Sequence, residues 1–309
     1  MTALLDRPQH ESQTPPVRAA AVQPAPVTQK WQWDLGLGLR MLAIVIIGLL
    51  LNLVFVSQLQ HTTSQTSLFH QLRLSLAEGS VPVGEKDSEG KWVVPGTPVA
   101  LLEIPQLNLS EVIVEGTTSS QTAVGVGHRR DSVLPGQSGT AVLMGRSGAY
   151  GGVFSSLRNL KAGDRFVVTT GQGKFTYQVM GSRLPGDPLP PKLAKAEGRI
   201  TLISASGPAF LPSQILRVDA KLVSEPAPRP AKTISAEALP GSEQAMAQDT
   251  SGLFGMILLL QLLTAAAAAA VWSWKRWGKW QTWLVMTPIL LLLSILTGGQ
   301  INMLLPNLL

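Results

Sequence analysis

A strand-like alternation of side chains is clearest in ILRVDAKL, residues 215–222. Successive side chains of an extended chain point to opposite faces, so every second residue shares a face. After Ile215 the even-numbered positions are all apolar, and they form the set Leu216, Val218, Ala220 and Leu222. The pattern predicts a strand with one face in a core, while Ile215 and Arg217 share the opposite face.

Similar short runs occur upstream, and glycines and prolines separate them. They are rich in β-branched and aromatic residues, and they cover residues 99–104, 111–114, 140–144, 166–170, 175–180 and 200–204. None has the length or the periodicity of a long helix. Residues 92–224 are therefore predicted to form a mainly β domain, an antiparallel barrel or sandwich.

Three apolar blocks flank this region, at residues 35–57, 252–274 and 281–305. A helix of about 20 residues crosses the hydrocarbon core of a bilayer. Each block is long enough, so the sequence predicts three transmembrane helices. A cleaved signal peptide in place of the first is disfavoured because its apolar part would be shorter and nearer the start.

The distribution of basic residues predicts the orientation of these spans. Lys275, Arg276 and Lys279 lie in the loop 275–280 between the second and third blocks, among several tryptophans. Short basic loops stay on the cytoplasmic side of a membrane. Lys30 and Arg40 near the first block agree with this orientation. We therefore expect a multi-pass plasma membrane protein with a cytoplasmic N-terminus and an extracytoplasmic β domain.

The remaining segments are predicted from composition. Residues 1–34 are rich in Pro, Gln, Ala and Thr and are expected to be a disordered cytoplasmic tail. Residues 58–91 are expected to form a membrane-proximal helix and linker, because leucines recur there every four residues. Residues 225–251 are rich in proline and alanine, which favours a linker back to the membrane.

Composition also excludes several kinds of chemistry. The chain of 309 residues has no cysteine, so it forms no disulfide, no thiolate-ligated metal site and no cysteine nucleophile. The net charge of +6 is partly explained by the basic loop and forms no nucleic-acid-binding pattern. Zinc-ligand spacing, a phosphate loop and a Ser/His/Asp arrangement on matched elements are not recognisable. Nothing in the sequence requires a cofactor.

A series of short motifs runs through the β region in a characteristic order. They are IP at 104–105, VEGT at 114–117, GVGH at 125–128, LPGQSG at 134–139, YGGVF at 150–154, GD at 163–164, VVTT at 167–170, TYQV at 176–179, TL at 201–202 and SQ at 213–214. Together they resemble the sortases, the membrane-anchored cysteine transpeptidases of bacterial surfaces, and especially the actinobacterial class E type. The resemblance implies an eight-stranded closed β-barrel and a Gram-positive, actinobacterial source.

The resemblance also implies where the catalytic groups of the family would stand. The histidine that protonates the leaving amine would follow Gly145, where this chain has Arg146. The nucleophilic cysteine would stand at Ala205, and the oxyanion-stabilising arginine at Ile215. All three groups are replaced, so no catalytic residue is expected at these degenerate family positions.

Neighbouring residues are poor substitutes. Ser204 and Ser206 flank Ala205, but their side chains are expected to point to the other face of the strand. Arg217 shares the face of Ile215, and a groove formed by Arg146, Ala205, Ile215 and Arg217 is a possible binding site. His128 matches a non-catalytic family position and is expected to be a loop histidine with a satisfied hydrogen bond.

Three hypotheses about function follow from these replacements. The favoured one is an inactive sortase-like protein that binds a peptide segment or another membrane or surface protein by main-chain pairing and side-chain pockets. The second is an atypical peptidase or transpeptidase that uses Ser204 or Ser206 with Arg146 or Arg217. The third is a structural membrane subunit in which the barrel serves only as a spacer.

Overall fold

The computed structural model describes residues 28–208 and 212–309. Of the predicted tail, residues 1–34, residues 1–27 lie outside the described residues. The chain divides into two compact units, Met1–Arg40 and Met41–Leu309. The first helix begins at Thr28, before the predicted boundary at residue 35. Once a helix has nucleated, each added residue costs little, which allows such an extension.

Five α-helices occur in the described residues. They are α1 Thr28–Leu51, α2 Ser57–Glu78, α3 Ser119–Val124, α4 Leu253–Arg276 and α5 Lys279–Leu304. A π-turn, Asn52–Val56, joins α1 to α2 without a break. Three helical segments are long and apolar enough to cross a membrane: Gly38–Glu78, Thr250–Arg276 and Lys279–Leu304. The three predicted apolar blocks are therefore confirmed as helices of that kind.

Eight strands form the β domain. They are β1 Pro98–Ile104, β2 Leu109–Glu115, β3 Val126–His128, β4 Gly139–Met144, β5 Arg165–Thr170, β6 Gly173–Arg183, β7 Gly198–Ser206 and β8 Gln214–Leu222. They close into a barrel in the order β1-β2-β3-β4-β7-β8-β6-β5. This confirms the predicted eight-stranded closed barrel, and the alternative of a sandwich is excluded.

The barrel is not wholly antiparallel, which corrects the expectation from the strand pattern. Strand β2 pairs with β3 in parallel, and β4 pairs with β7 in parallel. The sequence pattern also missed β3, which has three residues between two glycine-containing turns. Long connections between these pairs make the parallel arrangement possible, because parallel strands need a crossover.

The interior of the barrel is filled by the inward face of each strand. Leu216, Val218, Ala220 and Leu222 of β8 all belong to the central buried cluster, as their alternation predicted. Phe166 and Tyr177 stack within it, with ring centroids 5.5 Å apart.

Helix α2 packs on the outside of the barrel. Leu72 is buried with Val81 and Val112, and Leu68 and Leu76 pack beside them. This is the leucine row that the sequence showed. The helix therefore lies on the β domain and is continuous with the first apolar helix.

The α4–α5 hairpin contacts the first span through α5. The Asn52 side chain donates to the Ile295 carbonyl at 2.9 Å and accepts from the Asn302 amide at 2.9 Å. A Cβ added at Gly48 would lie 2.5 Å from Ser294 Cβ, so only glycine permits this approach. Small and amide side chains are the usual means of packing helices in lipid.

Residues 225–251, which we call the return segment, are not a free linker. Glu243 in this segment is buried and forms an ion pair with Arg130 of the barrel. The Thr117 hydroxyl donates to the Glu243 carbonyl at 2.7 Å. A buried carboxylate is tolerated only when it is paired, so Glu243 fixes the return segment against the barrel.

Candidate functional site

The three positions where the resemblance places catalytic groups lie at one corner of the barrel. Ala205 of β7 is directly opposite Ile215 of β8. Strand β4 runs beside β7, with Met144 opposite Ile203, and the next amide, Gly145 N, donates to the Ile203 carbonyl at 3.0 Å. Arg146 follows. We call Arg146, Ala205 and Ile215 the corner.

The chain turns sharply at the corner because Gly145 has no side chain. A Cβ at this position would lie 2.5 Å from the Phe154 ring. The Phe154 amide also donates to the Arg146 carbonyl at 2.9 Å, which closes the loop after β4. This close packing directs Arg146 away from the barrel core.

Ala205 is covered and does not line an open groove. Only 7% of it is exposed, on the outer face of β7 beside Met144 and Ile203. Leu308, from the chain after α5, is fully buried in the same cluster, and Ile215 and Met246 pack against it. The predicted groove is thus occupied by apolar residues of this chain.

Arg146 is completely buried and does not line an open groove. Its Nη2 donates to the Ser119 carbonyl at 2.9 Å and its Nη1 to the Leu309 main-chain oxygen at 3.2 Å. Its guanidinium lies 5.0 Å from the centroid of the Tyr150 ring. Burial lowers the pKa of Arg146 to about 10, so the group still carries its charge near neutral pH.

The main chain of residues 305–309 is held at several points. The Ser147 amide donates to the Leu308 carbonyl at 2.9 Å, and the Ser119 hydroxyl donates to the Leu305 carbonyl at 2.7 Å. The Asn307 side-chain amide donates to the Thr117 carbonyl at 2.6 Å and to the Gln244 carbonyl at 2.9 Å. The segment is therefore bound by the barrel and by the return segment together.

The serines proposed as substitutes lie elsewhere. Ser204 is fully buried and its hydroxyl donates to the Gly145 carbonyl at 3.0 Å. The Ser206 hydroxyl accepts from Arg158 at 3.1 Å. Neither has a histidine partner among the described residues. Arg217 is partly exposed and pairs across the sheet with Ile203 and Arg183, and burial next to Arg183 lowers its pKa.

A second polar cluster, which sequence reasoning missed, surrounds His128 at the end of β3. Its Nδ1 lies 2.8 Å from the Glu115 carboxylate, its Nε2 lies 3.0 Å from the Val133 carbonyl, and the Ser132 hydroxyl lies 3.2 Å from Nε2. Burial alone would lower the pKa of His128, but Glu115 and the Val133 carbonyl raise it overall. Both ring nitrogens face acceptors, which favours the imidazolium.

This arrangement of Ser132, His128 and Glu115 has the order of a nucleophile, a base and an orienting acid. The Ser132 hydroxyl, however, donates to the Arg129 carbonyl at 2.7 Å and accepts from the Val142 amide at 3.0 Å. An imidazolium cannot accept its proton. In this state the cluster therefore holds the loop after β3 and does not activate the serine. Glu115 lies in the VEGT motif, but no spacing in the sequence pairs it with His128.

No group of three or more His, Asp or Glu side chains that could hold a metal ion occurs within residues 28–208 and 212–309.

The comparisons with known proteins concern the barrel. Residues 102–204 match the family model described as "Sortase domain".

Sortase D of Bacillus subtilis (strain 168) is 35% identical over 89 residues, which are 29% of this chain and 43% of that protein. The match thus spans less than half the length of that relative.

Similar solved structures include a sortase D5 transpeptidase of Clostridium perfringens, with 19% identity, a TM-score of 0.44, and coverage of 52% of this chain and 99% of that one. Another is sortase E1 of Streptomyces coelicolor with a tripeptide in its active site, with 28% identity, a TM-score of 0.37, and coverage of 43% and 93%. The family-model match and the closed barrel together show that this chain carries a sortase-like domain, which is joined to three helices long and apolar enough to cross a membrane.

Proposed function

We propose that this protein is a catalytically inactive sortase-like membrane protein, of a degenerate class E-like type, that acts as a peptide- or protein-binding component of a surface assembly. The observation that supports this most strongly is the covered corner. Ala205 occupies the position where the resemblance places the nucleophile, and Leu308 is packed against its surroundings.

The chemistry of the corner supports inactivity. Transpeptidation needs a nucleophile, a proton donor for the leaving amine and a donor for the oxyanion. The methyl group of Ala205 cannot attack a carbonyl, and Ile215 donates no hydrogen bond. Arg146 remains protonated near neutrality and is engaged with two main-chain oxygens. A catalytic cycle at these three positions therefore lacks every participating group.

The barrel is proposed to lie outside the plasma membrane, with the N-terminus in the cytoplasm. The basic loop between α4 and α5 supports this orientation. The chain lacks cysteine, so single cysteines report topology without background. In intact cells, a membrane-impermeant maleimide should label exposed Lys174→Cys in the barrel and should label Gly278→Cys only after permeabilisation. The reverse pattern would contradict the orientation.

The test of inactivity uses the full-length protein in detergent micelles and a sorting-signal peptide with an amine acceptor. We expect no cleavage and no transfer by mass spectrometry. Turnover that is lost in Ser204→Ala or Ser206→Ala would overturn the proposal.

To test binding, proteins captured from membranes with the whole chain are compared with those captured after removal of residues 252–309. Loss of all partners without the hairpin would instead support the barrel as a spacer.

A second candidate function is a serine hydrolase centred on Ser132, which the contact with His128 at 3.2 Å favours. A serine-reactive fluorophosphonate probe tests it on the same full-length protein. Covalent labelling that disappears in Ser132→Ala but persists in Ser155→Ala would support this candidate. Absence of labelling at every pH from 6 to 9 would contradict this candidate, because a serine hydrolase needs a neutral histidine to accept the proton of the serine.

A further inference from the structure

Residues 305–309 leave the end of α5 and cross the corner, and we call them the terminal segment. Asn307 and Leu308 are completely buried and Leu309 is 5% exposed. Such burial is unusual after a lipid-facing helix, where a short polar connection would be expected at the water interface. The barrel and the return segment enclose this part of the chain on several sides.

The hydrogen bonds to the terminal segment mostly go to its main chain. Oxygens of Leu305, Leu308 and Leu309 accept from the Ser119 hydroxyl, the Ser147 amide and Arg146. Main-chain hydrogen bonds combined with a pocket for a side chain are a recurring way in which proteins bind peptides. The segment itself forms a turn, in which the Leu309 amide donates to the Pro306 carbonyl at 2.9 Å. Here the pocket holds the Leu308 side chain among Met144, Ile203 and Ala205.

Two donors at the corner, Arg146 Nη1 and the Ser147 amide, are paired through the terminal segment. Arg146 forms no ion pair with an Asp or Glu side chain of the described residues, and its Nε is buried without a hydrogen-bond partner. A buried guanidinium is costly unless oxygens surround it. If the terminal segment left, Arg146 Nη1 and the Ser147 amide would lose their partners, and the apolar wall around Ala205 would become exposed.

We infer that the corner is a peptide-binding site whose ligand is an Asn-Leu-Leu segment held in a turn, and that in this protein the resident ligand is its own terminal segment. Leu308 fills the side-chain pocket, and Arg146 and Ser147 bind the main chain. The inference rests on the proposed function, because a working catalytic corner would have to stay open to a substrate.

Self-occupancy has a direct consequence for other ligands. The terminal segment is tethered to α5, so its effective concentration at the corner is on the order of millimolar or higher. A soluble peptide of the same chemistry therefore competes poorly with it. Binding of such a peptide becomes measurable only after the terminal segment has been weakened.

The test uses the full-length protein in detergent micelles with a single reporter, Ala205→Cys, which the absence of native cysteines makes specific. The rate of maleimide labelling measures access to the corner. We expect labelling to be much slower than at Gln214→Cys, an exposed position on β8. Adding Asn307→Ala and Leu308→Ala to the reporter should raise the labelling rate at least about tenfold, since both side chains are fully buried.

The matched control adds Leu292→Ala and Leu296→Ala to the reporter. These leucines lie on α5 and are 57% and 47% exposed. The control should label as slowly as the reporter alone. Leu308→Ile, which keeps the apolar volume, should also label slowly, and circular dichroism establishes that each variant keeps its fold. A synthetic Leu-Pro-Asn-Leu-Leu peptide should slow labelling of the Asn307/Leu308 variant and leave the unweakened reporter unchanged.

Equal labelling at Ala205→Cys and Gln214→Cys would overturn the inference, as would identical rates in the test and control variants. A labelling rate that changes with protein concentration would also overturn it, because the occupant would then come from a second copy. None of these outcomes tests whether the protein is catalytically inactive. Turnover of a sorting-signal peptide would contradict the proposed function even if the reporter stayed protected.

Discussion

Arg146 stands where the resemblance places a histidine, and its charged side chain is completely buried. Its guanidinium contacts two carbonyl oxygens and the Tyr150 ring and has no solvent exposure. A long cation with several donors bridges two chain segments in a way that imidazole cannot. Arg146 thus serves here as a hydrogen-bond donor that holds two chain segments together.

We predict that Arg146→Met destabilises the full-length protein by about 1–3 kcal/mol, because it removes the hydrogen bonds that Arg146 donates to the main-chain oxygens of Ser119 and Leu309. The measurement is denaturant unfolding in detergent micelles. Arg165→Met, at an exposed position on β5, is the control and should change stability little. Equal effects of the two substitutions would show that the hydrogen bonds of Arg146 contribute nothing.

The His128–Glu115 pair predicts that the stability of the protein depends on pH. Burial lowers its pKa, but Glu115 and the Val133 carbonyl raise it above the unfolded value of 6.5 overall. A raised folded pKa stabilises the protein fully below the unfolded pKa, and this contribution is lost as pH rises through the folded pKa. The stability difference between the native protein and His128→Asn should therefore be largest near pH 6 and should shrink towards pH 9.

Thermal unfolding across that pH range measures the difference. His70→Asn, which changes an exposed histidine on α2, serves as the control. A stability gap that grew with pH would contradict the imidazolium and would favour a neutral His128, which is the form that the Ser132 hydrolase requires.

At the scale of elements, α5 connects the first span to the barrel. Its Ser294 approaches Gly48, its Asn302 binds Asn52, and the terminal segment continues from its end into the corner.

Gly48→Val should lower the thermal midpoint in micelles, with a cost of about 1–3 kcal/mol typical of overpacking. Gly38→Val is the control, because an added Cβ there meets nothing within 4 Å. Equal midpoints would mean that the helices do not pack through Gly48.

The elements differ in how far the sequence predicts them. Alternation within ILRVDAKL and long apolar blocks are local signals, and both led to the correct elements. Strand β3 has only three residues, too few for a periodic pattern, and the parallel pairing of β4 with β7 depends on connections that no local signal records.

The corner shows the same limit. The order of the motifs predicted the three positions of the corner. It did not predict that the terminal segment covers them. Leu309 is 163 residues from Arg146 in the chain, and the leucines after α5 read as the end of an apolar helix. The burial of Arg146 was missed for the same reason, because its partners are main-chain oxygens, which any sequence supplies.

At the scale of the whole molecule, one unbroken helical segment runs from Gly38 to Glu78, and its second half is packed along the barrel at Leu72. A domain on a flexible linker can reorient freely relative to its membrane helix. This barrel is instead attached to a continuous helix that packs along its surface. A thinner bilayer tilts a spanning helix. If Gly38–Glu78 crosses a bilayer, as its length and composition allow, the barrel would lean by a similar angle, so lipid thickness would set the tilt of the domain relative to the membrane.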